Sequence, residues 1–185
     1  EPTYSLGYSD GFEYDTATLR FTYSSLSRPA ETYDYDMAKR TRVLVKRREV
    51  PSGHDPADYV VTRLDAPAPD GAAVPVSILR RRTTPCDGSA PCLLYGYGSY
   101  GIVIPAAFRS NILSLVDRGF VFAIAHVRGG MDKGYAWYTE GKREKKTNTF
   151  TDFIACAEAL AAAGYTRAGR IVAQGGSAGG MLMGA

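Results

Sequence analysis

Apolar and polar residues alternate in short runs over the first fifty residues, as expected of β-strands with one buried face. Alternation is clear in residues 19–24 (LRFTYS) and 32–36 (TYDYD), and a third apolar run, 43–45 (VLV), follows a polar turn at 38–41. Three short strands about ten residues apart are typical of a propeller blade or of the edge of a sandwich. One blade's length shows no internal repeat, so the pattern leaves both open.

A second β-region follows a stretch rich in turn-forming residues. Residues 51–56 (PSGHDP) predict a linker. Apolar runs at 59–64 and 74–80 flank a turn at 67–71 that contains Asp70-Gly71. Asp-Gly at the tip of such a pair predicts a β-hairpin.

From residue 91 onward, continuous apolar runs alternate with segments of helical periodicity. The predicted strands are 92–95, 120–127 and 170–174, and the predicted helices are 108–117 and 149–163. The longer helix has one apolar stripe, a capping pair in Thr149 and Asp152, and Gly164 as its end. Strands alternating with helices predict an α/β fold with a mostly parallel sheet and right-handed crossovers.

Composition excludes several classes of protein. The 185 residues are 45% hydrophobic and 22% charged, which is ordinary for a folded domain. A formal net charge of +3 is too small to indicate a nucleic-acid partner, and the basic run at 142–146 is interpreted as a solvated loop. No apolar stretch is long enough to span a membrane, and no secretory signal is visible. Three cysteines and two histidines favour a reduced, cytoplasmic protein without a metal site.

The segment 174–180 (QGGSAGG) carries the most specific chemical pattern. It contains G-x-S-x-G between a predicted strand and the start of a helix. In that context the motif predicts a nucleophile elbow, a tight turn that exposes a strained serine. Ser177 is the predicted nucleophile, small residues are expected at 175, 176, 178 and 179, and the N–H of Ala178 is expected to face a developing oxyanion.

Two further motifs match patterns found in dinucleotide-binding enzymes, but the residues around each motif do not support that function. Residues 96–101 (GYGSYG) match G-x-G-x-x-G, but the segment that follows contains Pro105 instead of opening a helix. Tyr138 and Lys142 match a Tyr-x-x-x-Lys dyad, but Gly141 interrupts the helical turn that this dyad needs. A phosphate-binding P-loop is excluded because the 175–180 glycines lack the Gly-Lys-Ser/Thr sequence.

Several motifs from about residue 90 to the end together resemble the prolyl oligopeptidase family of serine peptidases, and within it the oligopeptidase B type. They are 94–101 (LYGYGSYG), 117–121 (DRGFV), 126–130 (HVRGG), 146–152 (KTNTFTD) and 175–181 (GGSAGGM). The resemblance implies the last strands of a β-propeller with a linker in residues 1–54. It implies the N-terminal part of an α/β-hydrolase domain in residues 55–185.

The resemblance also implies roles for particular residues. Ser177 would form the acyl-enzyme, and the Ala178 N–H together with the Tyr97 phenol would form the oxyanion hole, with Tyr95 as the alternative phenol. Arg128 would either bind substrate or order its loop through an ion pair. No cofactor is implied.

The histidine and aspartate of a catalytic triad are expected downstream of Ala185. His126 precedes the serine within a buried strand, so it is interpreted as a core histidine. The acidic residues that select a basic side chain are also expected downstream. Residues 104–108 (IPAAF) lack the aspartates that many oligopeptidase B sequences carry there.

The sequence therefore predicts a serine peptidase that cleaves short peptides after Lys or Arg, with no nucleic-acid or membrane partner. Two alternatives stay open. One is another hydrolase of the same fold, an esterase or an acyl- or dipeptidyl-aminopeptidase. The other is a non-catalytic hydrolase-like binding module.

Overall fold

The computed structural model describes residues 1–9, 11 and 13–185, and its first sheet is an antiparallel meander. Its strands, in spatial and chain order, are β1 (Ser5–Ser9), β2 (Thr18–Ser24), β3 (Glu31–Asp36) and β4 (Thr41–Arg47). The three strands predicted here are confirmed, with ends shifted by a few residues. The pattern missed β1, whose Gly7 weakens the strand signal and which is held by pairing with β2.

The second sheet contains the hairpin and the three strands predicted after residue 90. Its strands are β5 (Tyr59–Pro67), β6 (Ala73–Arg81), β7 (Cys92–Tyr95), β8 (Val121–Ala125) and β9 (Ile171–Gln174), in the order β5-β6-β8-β7-β9. β7 pairs in parallel with both β8 and β9, as predicted. The hairpin joins the same sheet through an antiparallel β6–β8 pairing, so this sheet is mixed and not mostly parallel.

In the part of the chain that the structure describes, four α-helices connect or follow these strands. They are α1 (Ser110–Val116), α2 (Tyr135–Thr139), α3 (Thr147–Ala162) and α4 (Ala178–Gly184). Short 3₁₀ turns lie at Pro56–Asp58 and Arg143–Lys145. α2 was not predicted, because its five residues are too few to show a helical period.

The predicted capping pair of α3 is wrong. The helix begins at Thr147, two residues before the predicted start, and its first turn has no side-chain cap. Thr149 and Asp152 are fully buried and bond to other loops instead of to the helix end. Both side chains therefore make tertiary hydrogen bonds and not the capping bonds that the local pattern predicted.

Side chains cover both faces of the second sheet, which places the core on either side of it. Cys92, Leu94 and Ala123 face α3, where Cys156 and Leu160 pack against them. The alternate positions of the same strands face α1. This period of two is expected for strands in the middle of a three-layer structure.

The two sheets meet at the segment that the sequence assigned to a linker. His54 stacks against Tyr59 and Phe108, and its Nε2 lies 2.6 Å from the carbonyl oxygen of Ser27. The backbone N–H of Phe108 donates to the Ser24 hydroxyl at 3.1 Å.

None of the helices in residues 1–9, 11 and 13–185 is long and apolar enough to cross a membrane.

Candidate active site

Ser177 lies on the sharp turn between β9 and α4, and its backbone is strained. Its φ of 55° and ψ of −122° fall outside the regions that non-glycine residues ordinarily occupy. Such a conformation costs on the order of 1–3 kcal/mol and persists only where the surrounding structure enforces it. The side chain is exposed at the carboxyl end of β9. The predicted elbow is therefore present in the fold.

Two glycines explain how the chain turns so tightly. A Cβ added at Gly175 would clash with the carbonyl group of Gly179. A Cβ added at Gly179 would lie 2.8 Å from the carbonyl oxygen of Gly96. The expectation for Gly176 was wrong, because a Cβ there would meet open space.

The elbow packs against the loop that follows β7, and this contact places Tyr97 next to Gly179, two residues after Ser177. The Cβ position of Gly179 lies 3.6 Å from the Tyr97 ring. Among the hydrogen bonds of residues 1–9, 11 and 13–185, the Tyr97 hydroxyl takes part in none, so its O–H is free to donate. The N–H of Ala178 is likewise free at the start of α4 within the described part of the chain.

Tyr95, the alternative phenol, lies elsewhere. It packs with the α1 side of the sheet, and the guanidinium of Arg109 lies 5.4 Å from its ring centroid. Adjacent parallel strands end at the same edge of a sheet, so the loop after β7 and the turn after β9 converge there. The structure thus groups Ser177, Ala178 and Tyr97 and leaves Tyr95 apart from them.

Arg128 is fully engaged by carboxylates. Only 4% of the residue is exposed. Its Nε donates to Asp152 at 2.9 Å and its Nη2 donates to Asp152 at 2.6 Å, while Nη1 pairs with Asp70. Hydrogen bonds to Asp152 raise the pKa of Arg128 further above its ordinary value, so the charge is permanent. Of the two roles considered for Arg128, this geometry favours the ordering ion pair, and substrate binding stays an untested prediction.

A second serine has triad-like neighbours. The Ser77 hydroxyl lies 2.8 Å from Nε2 of His126, and Nδ1 of the same ring lies 2.7 Å from Asp132. Ser77 is only 2% exposed in the middle of β6, where a substrate carbonyl has no access. His126 is the satisfied core histidine that its position in the sequence suggested. Nothing in the sequence marked Ser77 or Asp132, because only the fold brings them to His126.

Both histidines of the chain are therefore engaged away from Ser177. His54 lies at the junction of the two sheets, and His126 is held between Ser77 and Asp132. Among the described residues, no group of three or more His, Cys, Asp or Glu side chains could hold a metal ion.

The sequence analysis missed the position of Lys146. It belongs to the basic run that was interpreted as a solvated loop. Its side chain is half-buried, and Nζ donates to the Gly98 carbonyl, the Ser99 hydroxyl and the Thr149 hydroxyl. A run of similar charges carries no signal that would separate this lysine from its solvated neighbours.

Comparison with known proteins agrees with this geometry. A model described as the prolyl oligopeptidase family matches residues 106–185. The chain is 46% identical, over its whole length, to the dipeptidyl aminopeptidase BI of Pseudoxanthomonas mexicana and covers 26% of that protein. It is 37% identical, again over its whole length, to protease 2 of Moraxella lacunata and covers 27% of it.

Solved structures agree over the same span. Oligopeptidase B from Leishmania major superposes with a TM-score of 0.92 at 43% identity, covering 100% of this chain and 26% of that one. Oligopeptidase B from Trypanosoma brucei, solved with covalently bound antipain, gives 0.92 at 44% identity with the same coverage. The chain thus spans about a quarter of the length of the relatives it matches.

Proposed function

We propose that the protein containing this chain is a serine peptidase of the prolyl oligopeptidase family, which the family match and the similar relatives support, and that it hydrolyses short peptides through an acyl-enzyme on Ser177. The observation that carries this proposal is the strained, exposed Ser177 on a glycine elbow beside Tyr97. In the first step Oγ attacks the peptide carbonyl carbon, its proton passes to a general base, and the amine leaves with a proton from that base.

The oxyanion of the tetrahedral intermediate would be held by two neutral donors. One is the N–H of Ala178, and the other is the Tyr97 hydroxyl. Both are free to donate and lie at the same edge of the sheet. Donors fixed before the reaction stabilise the developing charge without reorganising, which is the usual source of a large rate effect.

The general base would come from outside residues 1–185. Both histidines of the chain bond to other groups, and the chain covers about a quarter of its relatives. A histidine oriented by an aspartate would supply the base, and we place both after Ala185, since hydrolases of this fold run in the order Ser, Asp, His.

The domain arrangement is part of the same proposal. Residues 1–54 would belong to a β-propeller and its linker, and residues 55–185 to an α/β-hydrolase domain. The antiparallel meander β1–β4 supports the first assignment. The elbow after β9, with a donor in the loop after β7, supports the second.

We propose cleavage after Lys or Arg, which is what the motif resemblance to oligopeptidase B implies; the chain also superposes on two structures of that name. This proposal gives Arg128 no part in that selection, because its guanidinium pairs with Asp152 and Asp70; substrate binding by Arg128 stays a prediction. The test compares arylamides with Arg, Lys or Pro before the scissile bond. A preference for Pro would contradict this part of the proposal.

A second candidate activity is removal of dipeptides from a free N-terminus. The 46% identity to a dipeptidyl aminopeptidase favours considering it. Arg-containing dipeptidyl arylamides with free and with blocked N-termini separate the two activities. Endopeptidase action requires cleavage of the blocked substrate, whereas an aminopeptidase cleaves only the free one.

The central experiment labels the complete protein with a fluorophosphonate, which forms a covalent bond to an activated serine. Ser177→Ala should abolish labelling. Ser77→Ala is the matched control, because Ser77 has the histidine and carboxylate neighbours but is buried. It should leave labelling intact. Persistent labelling of Ser177→Ala, or its loss in a folded Ser77→Ala protein, would contradict the assignment.

A further inference from the structure

The loop that follows β7 and carries Tyr97 turns through three residues with positive φ, one of which is not glycine. Gly98, Tyr100 and Gly101 all have positive φ, of 68°, 59° and 68°. Tyr100 is a non-glycine residue in this region, so the loop stores strain. Neighbouring groups help to hold it in place: the Gly129 carbonyl accepts from the Gly101 N–H, and the Lys146 side chain donates to the Gly98 carbonyl.

Lys146 holds this loop from the start of α3. Its three N–H donors meet three neutral oxygens: the Gly98 carbonyl, the Ser99 hydroxyl at 2.9 Å and the Thr149 hydroxyl at 3.2 Å. No carboxylate pairs with its ammonium within the described part of the chain. An ammonium has three donors, so the three loop and helix oxygens use them all.

A structural lysine would not ordinarily occupy this position. A cation at a helix N-terminus opposes the helix dipole, and burial of its stem lowers the pKa of Lys146. The adjacent Lys145 shows the ordinary arrangement, because it is exposed and pairs with Glu140 at the surface. Lys146 occupies this position despite both costs. Its contacts with Gly98 and Ser99 therefore contribute more stabilising free energy than the helix dipole and burial remove.

The loop also fits too tightly to rearrange freely. A Cβ on Gly98 would lie 2.7 Å from Val127, and a Cβ on Gly129 would lie 2.7 Å from the carbonyl carbon of Gly98. The Gly98 carbonyl is thus packed against backbone and needs a donor where it stands. Lys146 is that donor.

We propose that Lys146 is a positioning residue of the active site, which fixes the Gly98–Ser99 peptide and so aims the Tyr97 hydroxyl at the oxyanion. The inference depends on the proposed function, in which Tyr97 is an oxyanion donor. Lys146 touches neither substrate nor Ser177 in this scheme, and its effect on the rate passes through Tyr97 alone.

A double-mutant cycle in the complete protein tests this. Lys146→Met keeps the length of the side chain and removes its donors. Displacement of Tyr97 should lower kcat about tenfold on an arylamide substrate, with KM changed by less than about threefold. Tyr97→Phe alone should lower kcat on the order of 10²-fold. In the Tyr97→Phe background, Lys146→Met should cost less than about twofold, because the donor it positions is gone.

Two further variants control for stability and charge. Lys145→Met removes the neighbouring exposed cation and should leave kcat unchanged. Lys146→Arg keeps a cation with several donors and should recover part of the lost rate. If Lys146→Met does not fold, Ser99→Ala replaces it in the cycle. That variant removes one of the three hydrogen bonds that the ammonium donates, and it should lower kcat about two- to threefold only when Tyr97 is present.

The outcomes separate this inference from the proposed function. Suppose that Tyr97→Phe lowers kcat, but Lys146→Met (or its replacement Ser99→Ala) lowers kcat equally in the wild type and in the Tyr97→Phe background. The positioning role of Lys146 is then wrong, and the oxyanion role of Tyr97 stands. The same conclusion follows if the loss falls on KM instead of kcat. If Tyr97→Phe leaves kcat unchanged, the oxyanion role itself is wrong.

Discussion

Replacing each of the two carboxylates that hold Arg128 should give very different losses of stability. Asp152 is fully buried and accepts bonds from the backbone N–H of Arg128 and from its Nε and Nη2. Asp70 meets the same guanidinium from the hairpin turn, with its side chain 49% exposed. The arginine is common to both pairs, so the comparison sets a buried carboxylate that also binds the Arg128 backbone N–H against a solvent-exposed one.

Asp152→Asn replaces a negatively charged hydrogen-bond acceptor with a neutral amide, which presents N–H donors to the buried Arg128 cation. Removing one partner of a buried ion pair typically costs about 3–5 kcal/mol, because the remaining charge is left without compensation. Asp70→Asn should cost about 1 kcal/mol or less, as is usual for a pair open to solvent. A difference of at least 2 kcal/mol is therefore expected.

Hydrogen exchange of the complete protein, followed in peptides covering residues 126–134, measures this locally. A loss of about 3 kcal/mol raises exchange of the Arg128 amide on the order of 10²-fold, whereas Asp70→Asn should raise it less than about tenfold. Equal effects of the two variants would refute the reasoning, since burial of Asp152 would then contribute nothing. An Asp152→Asn effect below about 1 kcal/mol would refute it as well.

Two further predictions concern titratable groups outside the site. Tyr59 donates to Asp117 at 2.7 Å, and burial together with this bond raises the pKa of Tyr59 to about 12. The resulting stabilisation is complete below pH about 10 and is lost as the pH rises through about 12, so melting temperatures should fall more steeply over this range in the wild type than in Tyr59→Phe. Iodoacetamide should modify exposed Cys86 in the native protein and spare Cys92, because burial raises the pKa of the Cys92 thiol to about 12; rapid native modification of Cys92 would contradict its burial.

Local patterns predicted those parts of the fold whose signals lie within a few residues. The elbow is one case, since β9, the glycines and Ser177 are contiguous. The parallel strands are another, because β7 and β8 are continuous apolar runs buried on both faces. The hairpin was predicted too, but its attachment to β8 was not, since strand pairing between distant segments leaves no local trace.

The network around Arg128 lay beyond that kind of inference. The pattern gave Thr149 and Asp152 a capping role, which is the usual use of such residues at a helix start. In the structure Thr149 donates to the Arg128 carbonyl at 2.7 Å, and Asp152 binds the Arg128 guanidinium. Capping and tertiary bonding draw on the same short polar side chains, so the sequence cannot decide between them without knowing which loop packs nearby.

The two serines show why burial must be known before a nucleophile is assigned. Ser77 has both partners that a triad requires, at distances that would suit catalysis, yet it is closed off within β6. Ser177 has neither partner among residues 1–9, 11 and 13–185, yet its backbone is strained and its side chain is exposed next to the free N–H of Ala178. Strain at Ser177 would be an unnecessary cost in a turn that only connects β9 to α4, whereas the Ser77 network has a structural explanation, because its hydrogen bonds satisfy buried polar groups. Energetic cost therefore favours Ser177 as the proposed nucleophile, whereas hydrogen-bond geometry alone would have favoured Ser77.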